Sequence, residues 1–319
     1  MALANQPISQ ENQNGWGVLL LAHGAPDRIE DVPEFLLNVR GGRPLPEAVV
    51  KEIAHRYSLI GGGSPLLSLT NLQAQALARS LAHRVYVGMR NWRPFIAETV
   101  RQMNLDGVKK IVGLCLAPQN SRTSIGLYRR HVLDAIEKHA PRLPLVFIES
   151  WHDHPLLIEA FCEKVAAARV RVEAEVHGRV PVIFTAHSVP QKTIVEGDPY
   201  EQQARETAAL VARGLGLANY RMAFQSQGMT AEPWIGPTVE SQIDELAAAG
   251  ETHVLLAPIG FVSDHVEILY DIDVLFRRYG QEKGVTVHRS ESLNDSPLFI
   301  RALAAIVSEC MGNQAGGAR

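Results

Sequence analysis

The sequence has few cysteines, and they form no motif. The three, Cys115, Cys162 and Cys310, lie far apart and include no CxxC pair. This spacing supports neither a disulfide framework nor a zinc or iron–sulfur site. We therefore expect a chain that folds in a reducing compartment, which predicts a cytoplasmic protein without an iron–sulfur cluster.

Long hydrophobic runs and an excess of one charge are also absent. The longest apolar run, residues 18–22, is far too short to span a bilayer, and residues 1–14 lack the apolar core of a signal peptide. The 31 Lys and Arg residues nearly balance the 34 Asp and Glu residues, without a basic block. These absences argue against a membrane span and against a nucleic-acid surface. The expected partner is a small molecule or another protein.

What the sequence does have is an alternation of short apolar runs with amphipathic stretches, over a length that allows two domains. This alternation is typical of βαβ units and a parallel sheet. Eight strands are predicted in two sets of four, at residues 17–22, 84–87, 110–116 and 144–148, and at 180–184, 220–224, 253–258 and 285–288.

The two sets carry similar motifs in the same order, which indicates an internal duplication. The pairs are AHGAP (22–26) with AHSVP (186–190), RPFIAETV (93–100) with EPWIGPTV (232–239), LAPQ (116–119) with LAPI (256–259), and SWHDHPLLIEAF (150–161) with SLNDSPLFIRAL (292–303). We predict two similar Rossmann-like α/β domains, each a four-stranded parallel sheet flanked by helices, with a ligand cleft between them. Chance similarity between any two βαβ units is the alternative explanation.

The predicted domain boundary falls where the fourth strand gives way to a helix. It separates an N-terminal half, residues 15–150, from a C-terminal half, residues 151–311, with flexible tails at 1–14 and 312–319. A last amphipathic helix, residues 297–311, is a candidate to pack back on the first half.

Two histidines follow strand ends in matching positions, His23 after the first strand and His187 after the fifth. Ligands in open α/β sheets bind beyond the carboxyl ends of the strands. An imidazole at such a place can ligate a metal or accept a proton near neutral pH. The alternative for each is a hydrogen-bonded structural histidine.

An acidic segment, SDHVEILYDIDVL (263–275), is predicted to form a helix with Ser263 as its N-cap. Asp264, Glu267 and Asp271 then fall on one face. The helix dipole favours acidic residues near an N-terminus and explains part of this pattern. The repulsion between Glu267 and Asp271 favours instead a bound cation or a protonated carboxyl group.

Two further stretches fit the mouth of a ligand cleft. The turn GGGSP (61–65) suits either close approach of the backbone to a flat or carboxylated ligand, or a plain loop that ends a helix. The stretch 32–39 has an apolar stripe flanked by Arg40, Arg43 and Arg56. It suits either a helix packed on the core or an apolar flap beside guanidinium groups.

Together these stretches resemble the ferrochelatase family, whose members insert Fe(II) into a porphyrin and release two protons. The matches are HRYSLIGGGSPL (55–66), VYVGMRNWRPFIAE (85–98), TAHSVP (185–190), GDPY (197–200), FQSQGMTAEPWIGP (224–237) and GFVSDHVEILYDID (260–273). The resemblance covers about residues 17–308. It implies a lyase of haem biosynthesis with two chelatase-type domains, a porphyrin cleft between them, and iron as a substrate with no permanently bound cofactor.

The resemblance also implies roles for single residues. His187 and Glu267 match the family's inner pair at the metal-insertion site, and Asp271 continues the acidic line outward. The chain is most similar to the short bacterial branch that metallates coproporphyrin III, with protoporphyrin IX as the other substrate to consider. The residues that match porphyrin-holding positions of that branch are Arg40, Arg56, Tyr57, Ser64 and Tyr128.

Four positions depart from that branch. His23 stands where the branch has a tyrosine that ligates product iron, so His23 is the candidate axial ligand here. Asn91, Gly41 and Leu275 stand where some relatives have a histidine, a second arginine and a further acidic residue. The missing tyrosine weakens the coproporphyrin assignment.

Two other functions fit the same architecture. One is a cobalt or iron chelatase for sirohydrochlorin-type rings, and the other is a haem or porphyrin carrier without turnover. The stretches GGGSPL and SDHVEILYD argue against the first. The pair of His187 and Glu267 argues against the second, because a carrier needs no proton acceptor. We expect a monomer that makes transient contacts with neighbouring enzymes of haem synthesis.

Overall fold

The computed structural model describes residues 15–228 and 232–316. The tail predicted at 1–14 lies outside the described residues, as do residues 317–319 and the three residues 229–231 within the FQSQGMTAEPWIGP stretch.

The first half is built on a parallel sheet with strand order β2-β1-β3-β4. Its strands are β1 (Trp16–Ala22), β2 (Arg84–Met89), β3 (Lys110–Cys115) and β4 (Leu145–Ile148). Every residue of β1 is buried, because helices cover both faces of this central strand. A strand buried on both faces has a continuous apolar sequence, and that is why β1 was visible in the sequence.

The second half repeats this arrangement with strand order β6-β5-β7-β8. Its strands are β5 (Val182–His187), β6 (Arg221–Gln225), β7 (His253–Pro258) and β8 (Thr286–Arg289). The prediction of two similar four-stranded parallel sheets is confirmed, and the observed strand ends differ from the predicted ones by at most three residues.

Helices flank both sheets. Those of the first half are α1 (Val32–Val39), α2 (Glu47–Leu59), α3 (Leu66–Leu81), α4 (Ile96–Leu105) and α5 (Ile125–His139). Those that follow are α6 (Pro155–Val176), α7 (Gln191–Val195), α8 (Tyr200–Gly214), α9 (Val239–Ala248), α10 (Val266–Leu269), α11 (Arg277–Glu282) and α12 (Pro297–Gly316). A π-helical turn, Asp271–Phe276, lies between α10 and α11.

The duplication extends to the loops that precede α4 and α9. Each loop contains a cis X–Pro bond, at Arg93–Pro94 and at Gly236–Pro237. Each proline carbonyl accepts a hydrogen bond from the preceding strand, from the Met89 amide at 2.7 Å and from the Phe224 amide at 2.8 Å. Such equivalent details in two βαβ units argue against chance similarity.

The last helix joins the two halves. α12 packs against both α6 and α3, and it ends at Gly316 rather than at the predicted residue 311. One continuous apolar core runs from β1 through this helix to β5, and Phe299 of α12 stacks on Trp151 with 6.2 Å between ring centroids. The halves are therefore held together along one side. The strand ends of the two sheets lie close together, since the Gln119 side chain after β3 donates to the Ile259 carbonyl oxygen after β7 at 3.2 Å. Within the described residues, no helix is long and apolar enough to cross a membrane.

Candidate active site

The predicted pair of His187 and Glu267 is brought together at the carboxyl end of the second sheet. His187 is the last residue of β5, and Glu267 lies in the first turn of α10. The His187 Nε2 atom lies 3.6 Å from the Glu267 Oε1 atom. The Nδ1 atom of His187 is hydrogen-bonded to the Ser188 carbonyl oxygen. About a third of each side chain is exposed, so both groups are open to a ligand in the cleft.

A third residue, His265, completes this cluster, and our sequence analysis missed it. Its Nε2 atom lies 3.6 Å from the Glu267 Oε2 atom, and its Nδ1 atom lies 2.9 Å from the Ser263 carbonyl oxygen. We predicted a helix from Ser263, in which residues two apart face different directions. The structure instead has His265 in an extended conformation before α10, with φ −161° and ψ −175°, so its ring turns back to Glu267. The sequence signal for this contact is the triplet HVE, residues 265–267, which places a histidine two positions before the glutamate.

The charges of this cluster support one another. Burial disfavours the ionised form of Glu267, but the charges and hydrogen bonds of His187 and His265 outweigh it and hold the pKa of Glu267 well below its usual range. Burial also lowers the pKa of His187, yet the Glu267 carboxylate outweighs burial and raises it. The pKa of His265 is raised in the same way. The cluster is thus an anionic carboxylate between two basic imidazoles.

Asp271 lies beyond Glu267, at the start of the π-helical turn. It is buried, and its carboxylate accepts a hydrogen bond from the Ser226 hydroxyl group. Burial, opposed by this hydrogen bond and aided by the Glu267 charge, raises the pKa of Asp271 to about 6. Such a carboxyl group can hold or release a proton near neutral pH. Leu275, further along the turn, is an exposed apolar residue at the position where some relatives extend the acidic line.

The prediction that Asp264 belongs to the same acidic face is wrong. Asp264 precedes the helix, and its carboxylate accepts hydrogen bonds from the side chains of Arg289, Ser292 and Asn294. These bonds engage both oxygens away from Glu267. The face available to a cation therefore holds Glu267 and Asp271.

His23 follows β1 on the other half, and its ring packs edge-on against the Phe35 ring of α1, with 5.9 Å between ring centroids. Desolvation of the ring and the positive charge of Arg90 lower the pKa of His23 to about 4. The ring is therefore neutral at physiological pH. Its Nδ1 atom lies 3.0 Å from the Gly24 carbonyl oxygen and must donate there. The Nε2 lone pair then accepts from the Asn91 amide at 3.0 Å. His23 thus has the tautomer that a metal ligand needs.

The residues that match porphyrin-holding positions form two groups, one buried and one more exposed. Tyr57 and Tyr128 are almost fully buried, and Ser64 is buried at the start of α3. Arg40 is exposed and Arg56 partly exposed, and the Arg56 guanidinium lies over the Tyr270 ring, 5.2 Å from its centroid. Tyr57 belongs to a small apolar cluster with three residues of α1, and Val266 of the opposite half packs against this cluster. Val32, Phe35 and Leu36 of the apolar stripe of α1 are therefore buried in this cluster, as expected for a helix that packs on the core.

The glycine-rich turn ends α2 and packs closely against another loop of the same half. Gly61 and Gly62 have φ angles of +100° and +94° and end α2 in a conformation that favours glycine. Gly63 lies so close to the backbone of Asp27 that a Cβ atom would approach the Asp27 carbonyl oxygen to 1.9 Å. The turn thus ends a helix, as one of the two predictions had it, and it packs against the loop after β1; the predicted approach to a ligand stays a prediction.

Solved structures show the same architecture at low sequence identity. A sirohydrochlorin chelatase, SirB from Bacillus subtilis subspecies spizizenii in complex with cobalt, superposes with a TM-score of 0.57 at 10% identity over 94% of this chain and 97% of that chain. The fold, two four-stranded parallel sheets flanked by helices, is that of the two-domain chelatases.

Sequence comparison shows to which family within this class of proteins the chain is similar. The family model for ferrochelatase matches residues 15–311. A ferrochelatase of Acidobacterium capsulatum is 48% identical over 91% of this chain and 92% of its own length. A coproporphyrin III ferrochelatase of Geobacillus is 37% identical over 91% of this chain and 96% of its own length. The chain belongs to the ferrochelatase family, the lyases that insert iron into a porphyrin.

Proposed function

We propose that this chain inserts Fe(II) into coproporphyrin III. The observation that carries the proposal is the position of Glu267 between two imidazoles, His187 and His265, at the strand ends that face His23. The choice of coproporphyrin is supported by relatives of that name and by exposed arginines, Arg40 and Arg43, at the mouth. Guanidinium groups bind carboxylates in bidentate geometry, and a ring with four propionates offers more carboxylates than one with two.

Insertion exchanges one Fe(II) ion for two pyrrole protons. The ion must lose water, and the ring must pucker to expose its nitrogen lone pairs; a rigid walled cleft can supply that distortion through contacts with the ring edge. The imidazoles of His187 and His265 and the Glu267 carboxylate are borderline and hard donors that suit a transiently held divalent ion. Either His187 or Glu267 accepts the first proton, and Asp271, with its pKa near neutrality, is the outer acceptor.

We further propose that His23 ligates product iron from the opposite face of the ring. Ligation requires only that the Asn91 amide release the Nε2 lone pair, which costs roughly 1 kcal/mol, the net worth of an ordinary hydrogen bond. We expect His23→Ala to shift the Soret and charge-transfer bands of bound product, and Asn91→Ala to retain them. Identical bands in His23→Ala and in the unaltered protein would contradict axial ligation.

The pH dependence of insertion follows from the raised pKa of His187. The protonated imidazole can neither ligate Fe(II) nor accept a proton, so kcat/KM for metal should fall as pH drops through a value above the ordinary 6.5. In Glu267→Gln the carboxylate that raises the pKa is gone, and the His187 pKa should be lower than in the unaltered protein. Kinetics from pH 5 to 9 measure the first value, and NMR titration of the imidazole measures the second. If Glu267→Gln left the His187 pKa unchanged, this would contradict the claim that the Glu267 carboxylate raises that pKa.

Turnover tests the function directly. Anaerobic Fe(II) insertion into coproporphyrin III and protoporphyrin IX should be measured side by side, with His187→Ala as the inactive control. We expect faster turnover of coproporphyrin. Faster turnover of protoporphyrin would overturn the substrate assignment. Tight binding of both rings without turnover would favour the carrier, and turnover of sirohydrochlorin alone would favour the other chelatase.

We also propose that the protein works as a cytoplasmic monomer without an iron–sulfur cluster and contacts neighbouring haem-pathway enzymes transiently. The three unpaired cysteines support a reducing compartment. Exposed apolar side chains on α1, Leu37 and Val39, support a docking point beside the mouth.

A further inference from the structure

The segment that carries the catalytic cluster is bound at both ends by one arginine. Arg289, the last residue of β8, donates from Nε and Nη2 to the two carboxylate oxygens of Asp273, at 3.1 and 2.9 Å. Its Nη1 atom donates to the Asp264 carboxylate at 3.2 Å. All three side chains are at most one-fifth exposed. Charge-assisted bonds of this kind are among the stronger hydrogen bonds in proteins.

The Asp264 end of this connection continues into the first half. Asp264 also accepts from Ser292 and Asn294, at 2.7 and 3.0 Å. The fully buried Gln73 of α3 donates to the Ser263 hydroxyl group and to the Asn294 carbonyl oxygen, both at 2.8 Å. A polar network thus runs from the first half through Asp264 and Arg289 to the π-helical turn.

Between the two bound ends lie the three groups of the site, His265, Glu267 and Asp271. The backbone there is irregular: α10 has four residues, and the π-helical turn follows it. A helix of one turn has little stability of its own, so its position depends on tertiary contacts. One such contact holds its middle, where the Gln225 side chain donates to the Glu267 carbonyl oxygen at 2.8 Å. Arg289 restrains its ends.

We propose that Arg289 is a positioning residue for metal insertion. By binding Asp264 and Asp273 at once, it fixes the orientation of Glu267 towards His187 and His265, and it keeps two of the segment's carboxylates away from the incoming ion. This inference rests on the proposed function. It assigns to Arg289 no contact with metal or porphyrin.

Lysine is the informative replacement. Arg289→Lys keeps the positive charge, so neither aspartate is left buried without a counterion. A single ammonium group, however, cannot reproduce the planar fork that reaches two carboxylates. The matched control is Arg221→Lys in the same half, because Arg221, whose side chain is one-third exposed, also makes an ion pair, with the exposed Glu245, and that pair lies outside the segment. Asp273→Asn releases only one end and should have an intermediate effect.

The test measures Co(II) binding by its visible spectrum, porphyrin binding by fluorescence quenching, insertion kinetics and thermal unfolding for each variant. We expect Arg289→Lys to weaken Co(II) binding and to lower kcat/KM for metal by about tenfold, as is usual for residues that orient metal ligands. Its porphyrin affinity and Tm should be close to those of Arg221→Lys. Equal Co(II) affinity in the two lysine variants would overturn the inference, as would a parallel loss of porphyrin binding and Tm. Absence of insertion by the unaltered protein would count against the proposed function, whereas the Co(II) comparison would still decide the role of Arg289.

Discussion

Replacement of His187 by alanine should lower the rate of Fe(II) insertion by about 10²–10⁴-fold, the usual contribution of a general acid or base. The same change should alter porphyrin affinity by less than about tenfold, because His187 is only one of many groups that face the ring. The loss has two causes. In the proposed mechanism the incoming ion loses an imidazole ligand, and the pyrrole protons lose one of their two candidate inner acceptors.

Steady-state insertion under anaerobic conditions and fluorescence quenching of the porphyrin measure the two effects separately. His131→Ala, at an exposed histidine of α5, is the matched control and should behave as the unaltered protein. Glu267→Gln should be similarly impaired. The double variant should be little worse than either single one, since residues that act as a unit are not additive. Joint loss of folding and porphyrin binding in His187→Ala would contradict the catalytic assignment.

Replacement of Gly63 by alanine should have the largest effect on stability. The new Cβ atom would lie 1.9 Å from the Asp27 carbonyl oxygen and 2.4 Å from its carbon, and both are backbone atoms. The turn is also bound to this loop by the hydrogen bond from the Ser64 amide to the Pro26 carbonyl oxygen, at 2.9 Å. Overpacking costs typically about 1–3 kcal/mol and occasionally more, and we expect the upper end of that range here. The displaced loop carries His23, so porphyrin affinity should fall as well.

Urea denaturation and porphyrin titration check this result. Gly126→Ala in α5 is the matched control, because the nearest heavy atoms to its new Cβ would lie at an ordinary 3.9 Å. That substitution should be neutral or stabilise the protein by up to about 1 kcal/mol through helix propensity. Equal stability of the two variants would mean that the 27–63 contact is not present in solution.

The strands and the duplication could be predicted because their signals are local. A strand buried on both faces needs a run of apolar residues, and turn residues bound each run. The positions of His23 and His187 at the carboxyl ends of their strands follow from these strand ends alone. Pairing His187 with Glu267 required the family resemblance, because the two lie in separate elements of the chain.

The acidic segment could not be predicted, because its shape depends on distant residues. Helical periodicity placed Asp264 beside Glu267, whereas Arg289 of β8 and Asn294 bind Asp264 elsewhere. Nothing near Ser263 in the sequence indicates that Gln73 binds it from the other half. The break in the helix that turns His265 towards Glu267 is a consequence of these contacts.

The core shared by α3, α6 and α12 bears on how a large flat substrate exchanges. Parting the two halves would expose the apolar surface that runs from β1 to β5, at a cost of about 25 cal/mol for each Å². The cluster of Val32, Phe35, Leu36, Tyr57 and Trp92 is far smaller, and Val266 of the other half packs against it. We therefore expect product to leave through local opening of α1 and α2, and substitutions that loosen this cluster should raise turnover wherever departure of the metallated ring limits the rate.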